Sequence, residues 1–136
     1  MDRETRTRTI GRWLLVAFYG LAGIAHLIVT EAMVRIVPAG VPCPRAIVIL
    51  TGLCELAGAA GLMTQRWRRA AGWGLAAYAL CVWPANVKHA IIDLSAGAGL
   101  SIWYHAPRLA LQPLIIWWAL WATGAVRRRQ QPREPA

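Results

Sequence analysis

The stretch AIVILTGLCELAGAAGLMTQ, residues 46–65, decides how this chain folds. It lies between Arg45 and Arg66, and Glu55 is the only charged residue among its 20 positions. An α-helix rises about 1.5 Å per residue, so such a stretch reaches roughly 30 Å, the thickness of the hydrocarbon core of a bilayer. The stretch therefore predicts a transmembrane helix that carries one carboxyl group near its midplane.

Three further blocks, residues 13–30, 70–87 and 109–126, contain no Asp, Glu, Lys or Arg over 18 positions each. Hydrophobic residues make up 57% of the chain and charged residues 15%, whereas soluble domains have about 45–50% and about 25%. A soluble all-helical core would need polar outer faces, which these blocks lack. We therefore predict an all-α fold, a four-transmembrane-helix bundle in one domain of residues 1–126. Its helices cover about 12–32, 46–64, 70–90 and 107–126, and residues 127–136 form a basic, disordered tail.

The net charge of +9 is distributed unevenly along the chain. Eleven of the 15 Lys and Arg residues flank the predicted helices on one side of the membrane, and four flank them on the other. Because Lys and Arg accumulate in cytoplasmic loops, we expect the N-terminus and the C-terminus to be cytoplasmic. The arginines then set orientation, and nucleic-acid binding is not predicted. The eleven are Arg3, Arg6, Arg8, Arg12, Arg66, Arg68, Arg69, Arg127, Arg128, Arg129 and Arg133; the four are Arg35, Arg45, Lys88 and Arg108.

With this orientation, polar residues from all four predicted helices fall between the midplane and the external surface. No comparable set falls in the inner half, so the pattern predicts one shared pocket that opens outward. Glu and His inside a membrane commonly mark proton-transfer sites, which makes His26 and Glu55 the proton-transfer candidates, although no catalytic residue is assigned. The predicted ligand-binding residues are His26, Glu55, Asn86, His89, Arg108 and Gln112.

Small residues lie three and four positions from Glu55 and His26, and such residues let membrane helices approach each other closely. A charged group at a helix centre costs about 2.5–3.5 kcal/mol on insertion scales. Large aliphatic residues in the same stretch favour insertion by roughly 2–4 kcal/mol, and the charge would cancel most of that gain. We therefore expect Glu55 to be neutral or to pair with His26, His89 or Arg108. A purely structural role, in which Glu55 only joins neighbouring helices, remains open. The small neighbours are Thr51, Gly52, Gly58 and Ala59 for Glu55, and Ala22 and Gly23 for His26.

Metal and thiol chemistry have weaker sequence signals. His26, His89, His105 and Glu55 offer suitable ligand atoms, but no close His spacing supports a site, so no metal is predicted. Cys43, Cys54 and Cys81 form no C-x-x-C pair, which counts against a self-contained thiol oxidase.

Several motifs resemble the DoxX-like family of small four-helix integral membrane proteins, over roughly residues 14–122. They are GIAH (23–26), IVP (36–38) with VP (41–42), TGLCELAG (51–58), RAA (69–71), WPAN (83–86) and RLALQ (108–112). The family often has Phe at the position of Trp83 and Pro at that of Ala110. The resemblance implies a multi-pass inner-membrane protein linked to respiratory or sulfur redox chemistry.

The leading functional hypothesis is therefore a redox-associated subunit whose pocket binds a quinone-like or other small amphipathic ligand. No haem or flavin motif is evident, so a redox partner protein would supply electrons and quinone would be the bound cofactor. The lipid bilayer and a second copy of the chain are the other expected partners. The alternatives are a small proton-coupled transporter and an acid–base membrane enzyme that acts on a lipid-like substrate, so whether the chain is an enzyme stays open.

Overall fold

The computed structural model describes residues 3–35, 37, 39–97 and 99–126, and throughout this part of the chain all regular structure is helical. The predicted all-α class is confirmed. The predicted disordered tail, residues 127–136, lies outside the described residues. The helices are α1 (Arg3–Ile28), α2 (Thr30–Val34), α3 (Pro44–Met63), α4 (Arg68–Ala96) and α5 (Ile102–Thr123).

Three helical segments are long and apolar enough to cross a membrane: Thr5–Ile28, Pro44–Met63 and Arg68–Ala96. The fourth predicted span corresponds to α5, whose 22 residues include Arg108, Gln112 and two prolines; it is not among these three. Over its described residues the molecule is therefore all-helical, with three helices suited to a bilayer.

The outer surface of the long helices carries large apolar side chains. Leu21, Leu50, Leu80 and Leu114 are each 50% or more exposed. Soluble monomers rarely expose apolar patches of this extent, so the outward faces favour a lipid environment over the soluble alternative.

The interior of the bundle is built largely from small residues. α1 and α4 each pack against both α3 and α5, so the four long helices surround one core. Side chains as small as alanine let helix backbones approach closely, which is the packing mode of membrane helices. The buried core residues are Leu15, Tyr19, Ala59, Leu62, Leu75, Ala76, Ala119 and Ala122.

The helix predicted for residues 12–32 is interrupted at Val29. There the backbone leaves regular helical geometry, with φ −107° and ψ 33°. Thr30 Oγ1 lies 2.7 Å from the carbonyl oxygen of His26 and 3.0 Å from that of Leu27, so its hydroxyl satisfies the carbonyls at the end of α1. The chain then continues as α2.

α4 and α5 both extend farther than the sequence pattern predicts. α4 continues beyond residue 90 to Ala96 and ends where Gly97 adopts the left-handed conformation, with φ 62°. α5 begins at Ile102, because the carbonyl oxygen of Ser101 already accepts N–H hydrogen bonds from Tyr104 and His105. Pro107, which the sequence places in the first turn, consequently lies inside α5. These extra turns make Asp93 and His105 helical residues and bring them together.

Candidate functional site

The carboxyl group of Glu55 connects α3 to two other helices. Glu55 lies near the middle of α3 and is 6% exposed. The hydroxyl of Tyr78, on α4, donates a hydrogen bond of 3.0 Å to Oε1 of Glu55. Nδ1 of His26, near the end of α1, lies 3.0 Å from Oε2. With Tyr19, whose ring packs edge-on against that of Tyr78, these residues form what we name the Glu55 cluster.

Two polar atoms of the Glu55 cluster are buried without a hydrogen bond from any described residue, namely Glu55 Oε2 and the Tyr19 hydroxyl. The nearby Nδ1 of His26 does not satisfy Oε2, because it also lies 2.8 Å from the carbonyl oxygen of Ala22. One ring N–H serves one acceptor well. Since buried polar groups are nearly always hydrogen-bonded, these two atoms call for a polar partner that the described residues do not provide.

The His26 and Glu55 side chains are placed for proton exchange. A proton can reside on the imidazole, giving an ion pair, or on the carboxyl group, giving a neutral pair in which Nδ1 accepts and its 2.8 Å contact with the Ala22 carbonyl oxygen must lengthen. The side chain of Glu55 is 8% exposed and that of His26 is 22% exposed. His26 is therefore the member of the pair through which a proton or a ligand can arrive.

Two glycines bring α1 and α3 together beside this pair. A Cβ atom on Gly23 would lie 2.7 Å from the carbonyl oxygen of Gly52, and one on Gly52 would lie 2.7 Å from Cβ of His26. Real Cβ contacts are not that short, so only glycine permits this approach. The predicted close packing of small residues around His26 and Glu55 is confirmed at these two positions.

A second polar group, the Asp93 cluster, consists of His89, Asp93, His105 and Arg108. Oδ2 of Asp93 lies 3.2 Å from Nε2 of His89 and accepts a 3.1 Å hydrogen bond from Nε2 of His105. The same oxygen accepts a 2.9 Å hydrogen bond from the backbone N–H of Leu100. One carboxylate oxygen thus ties the end of α4 to the loop before α5 and to α5 itself.

The Asp93 cluster offers three ligand atoms, one each from His89, Asp93 and His105, within 4.8 Å of one another. Tetrahedral zinc ligands with bonds of about 2.0–2.1 Å are roughly 3.3 Å apart, close to the separations found here. The surrounding hydrogen bonds do not fit a metal, however. Arg108 Nη1 lies 3.4 Å from Nδ1 of His89, a contact that favours Nδ1 as the acceptor and the proton on Nε2.

The hydrogen bonding of His105 does not fit a metal site either. Its Nδ1 is buried and lacks a hydrogen-bond partner among the described residues, whereas a metal-bound histidine usually donates its second N–H to a nearby acceptor. The geometry therefore favours a hydrogen-bonded network of ionisable groups at this position.

Four of the six predicted ligand-binding residues fall into two separate clusters rather than one pocket. His26 and Glu55 belong to the Glu55 cluster, and His89 and Arg108 belong to the Asp93 cluster. Tyr78 and His89 are 11 positions apart on α4, which corresponds to roughly 16 Å along the helix axis.

Gln112 and Asn86 belong to neither cluster. Nε2 of Gln112 donates a buried 2.7 Å hydrogen bond to the carbonyl oxygen of Ala79, next to Tyr78, and so joins α5 to α4. Asn86 is half-buried on α4, one turn before His89.

Sequence reasoning missed Tyr19, Tyr78 and Asp93, and it considered His105 only as a weak metal ligand. Helical spacing could have identified Asp93, because it lies four residues after His89 and thus on the same face of a helix. Tyr78 is the only residue with an ionisable hydroxyl in the block of residues 70–87, and a count limited to Asp, Glu, His and amides passes over it.

The comparisons with known proteins give one family. No curated protein and no solved structure matches the chain. A family model described as Domain of unknown function (DUF8561) matches residues 15–123, a segment that contains both clusters and most of the chain. The chain therefore belongs to the DUF8561 family.

Proposed function

We propose that this chain is a multi-pass protein of a bacterial-type inner membrane, with four membrane-spanning helices and both termini in the cytoplasm. Three spans follow from helix length and composition. α5 is proposed as the fourth because it packs against α1 and α4 and exposes Leu111, Leu114 and Trp117. The cytoplasmic position of the termini rests on the excess of Lys and Arg at that end.

The function that the Glu55 cluster supports best is the binding of a small amphipathic molecule with a polar head, such as a quinone. The observation that carries this proposal is the pair of buried, unsatisfied atoms, Glu55 Oε2 and the Tyr19 hydroxyl. A quinone carbonyl would accept a hydrogen bond from Tyr19. The hydroxyl of the reduced molecule would donate one to Glu55.

Reduction of a quinone consumes two electrons and two protons. The pair of His26 and Glu55 holds one transferable proton at a time, so it would deliver the two protons in succession and be reprotonated between them through His26, the more exposed member. The electrons would come from a redox partner protein, which makes this chain a redox-associated subunit without a cofactor of its own. The resemblance to the DoxX-like family supports the same assignment. The partner, or a second copy of the chain, would pack on the exposed apolar faces.

A binding measurement on the purified full-length protein in lipid nanodiscs tests this proposal. A short-chain benzoquinone is titrated into the protein, and the heat of binding is followed by calorimetry. We expect saturable binding to the wild type. Each hydrogen bond inside a membrane protein contributes about 1–2 kcal/mol at most, so Glu55→Gln and Tyr19→Phe should each weaken binding by roughly 5- to 30-fold.

The matched control is Glu31→Gln, which neutralises a carboxylate that is exposed and paired with Arg45 outside the cluster. This variant should bind as the wild type does. If Glu55→Gln and His26→Ala both retain wild-type binding and electron transfer, the quinone assignment is wrong.

Proton-coupled transport is the second candidate function. It is favoured by the position of the Asp93 cluster, which adds a second group of ionisable side chains to α4, roughly 16 Å from the Glu55 cluster. Two such groups along one membrane helix are the expected arrangement of a proton pathway. A proton flux in reconstituted vesicles that Glu55→Gln abolishes, without quinone binding by the wild type, would replace the quinone proposal with this one.

A further inference from the structure

A cavity of about 500 Å³ lies where the first turns of α1, the first turn of α4 and the end of α5 meet. Among the described residues that line it there are five arginines and no Asp or Glu. We propose that this cavity binds a phosphate group, presented by the headgroup of an anionic phospholipid of the surrounding membrane. The five arginines are Arg8, Arg12, Arg66, Arg68 and Arg69.

Four of the cavity arginines take part in none of the ion pairs found among the described residues. Arg12 and Arg68 are half-buried and close enough to repel each other. The described ion pairs all involve other residues than Arg12, Arg66, Arg68 and Arg69. Nε of Arg68 is buried without a hydrogen-bond partner among the described residues. Guanidinium groups stay ionised, so a bound anion relieves this repulsion.

Neighbouring aromatic rings hold two of the guanidinium groups in place. Cζ of Arg8 lies 5.7 Å from the centre of the Trp121 ring, and Cζ of Arg66 lies 5.5 Å from that of Trp67. Planar guanidinium groups bind phosphate through paired N–H donors. The hydroxyl of Thr123 is already bonded to the carbonyl oxygen of Ala119, which leaves arginine as the main source of donors.

The position of the cavity points to a lipid as the source of the phosphate. The charge-free blocks of residues 13–30 and 70–87 begin directly after Arg12 and Arg69. Trp13 and Trp67, which are 50% and 57% exposed, are of the type that marks the membrane interface. Basic pockets between membrane helices on the cytoplasmic side suit anionic headgroups. The inference rests on the proposed membrane insertion and is independent of quinone binding.

Native mass spectrometry of the full-length protein in detergent tests the inference. Separate samples receive phosphatidylglycerol, phosphatidylethanolamine with the same acyl chains, or inorganic phosphate. The molecules that stay bound to each protein ion are then counted. We expect preferential retention of phosphatidylglycerol. The charge of one arginine near a membrane surface strengthens the binding of anionic lipid about fivefold. Arg68→Gln and Arg12→Gln should therefore each reduce retention by roughly that factor.

The matched control is Arg6→Gln, which removes one exposed charge from the same end of α1 but lies outside the cavity lining. Equal losses in Arg68→Gln and Arg6→Gln would overturn the site, because generic charge would then explain retention. Displacement of phosphatidylglycerol by inorganic phosphate at comparable concentration would overturn the lipid as its source. Quinone binding by each variant is measured in parallel, so failure of this inference is distinguishable from failure of the proposed function.

Discussion

The substitution Gly23→Ala tests whether the contact between α1 and α3 holds the Glu55 cluster together. The added Cβ would lie 2.7 Å from the carbonyl oxygen of Gly52 and 2.8 Å from Cγ of Leu56. A backbone carbonyl cannot rotate away, so α1 must retreat. Non-bonded carbon atoms normally lie about 3.5–4.0 Å apart, which implies a movement of roughly 1 Å. The separation between His26 Nδ1 and Glu55 Oε2, 3.0 Å in the structure, would then exceed hydrogen-bonding distance.

The free energy of unfolding should fall by roughly 0.6–4 kcal/mol. Overpacking costs about 1–3 kcal/mol, and the weakened polar contact costs about 0.6–2 kcal/mol. The higher helix propensity of alanine over glycine returns about 1 kcal/mol. Thermal or detergent-induced unfolding followed by circular dichroism measures the difference, and quinone titration reports on the cluster itself.

Gly20→Ala is the matched control, because it makes the same chemical change one turn earlier on α1, where a Cβ meets nothing within 4 Å. This variant should be as stable as the wild type or slightly more stable. If Gly23→Ala unfolds at the same temperature as Gly20→Ala and binds quinone equally well, the close approach of α1 and α3 does not support the cluster.

Four other substitutions distinguish the polar contacts by their effect on stability in the same unfolding assay. Tyr78→Phe should lower the free energy of unfolding by about 0.6–2 kcal/mol because the donor to Glu55 is lost, whereas Tyr19→Phe removes a hydroxyl without a described partner and should be nearly neutral; equal losses would contradict this. Gln112→Met should cost a similar 0.6–2 kcal/mol through loss of the bond to the α4 backbone, and an unchanged stability would show that this bond is dispensable. Asp93→Asn should lower the unfolding temperature more than Glu31→Gln, since three N–H groups surround Oδ2 of Asp93, and the reverse order would count against the Asp93 cluster as a structural tie.

Much of the fold was predictable because its signals are local. Blocks of 18 to 20 residues with at most one charge predict long helices, and each of the four lies mostly within a helix of the structure. The helix ends were less predictable, since they depend on single conformations, such as the left-handed Gly97 and the break at Val29.

The candidate site was predictable only in part. A carboxyl group in an apolar run is conspicuous, and small residues at helical spacing identified the close approach at Gly23 and Gly52. The partner of Glu55 on α4 was not predictable in the same way. Helical periodicity predicts which residues share one face of a helix. It does not predict how that face is oriented toward a neighbouring helix. Tyr78 therefore became visible as a hydrogen-bond donor to Glu55 only in the packed bundle.

The sequence by itself determined the helical class, the apolar outward faces and the presence of one carboxyl group deep in α3, because length, hydropathy and spacing are properties of single segments. Only the tertiary structure decided that four of the predicted polar residues divide between two clusters. The lengths of α4 and α5 bring Asp93 and His105 together, and the packing of α1, α3 and α4 encloses Glu55. Contacts of this kind join distant parts of the chain, so their geometry depends on how whole helices pack and not on any local pattern.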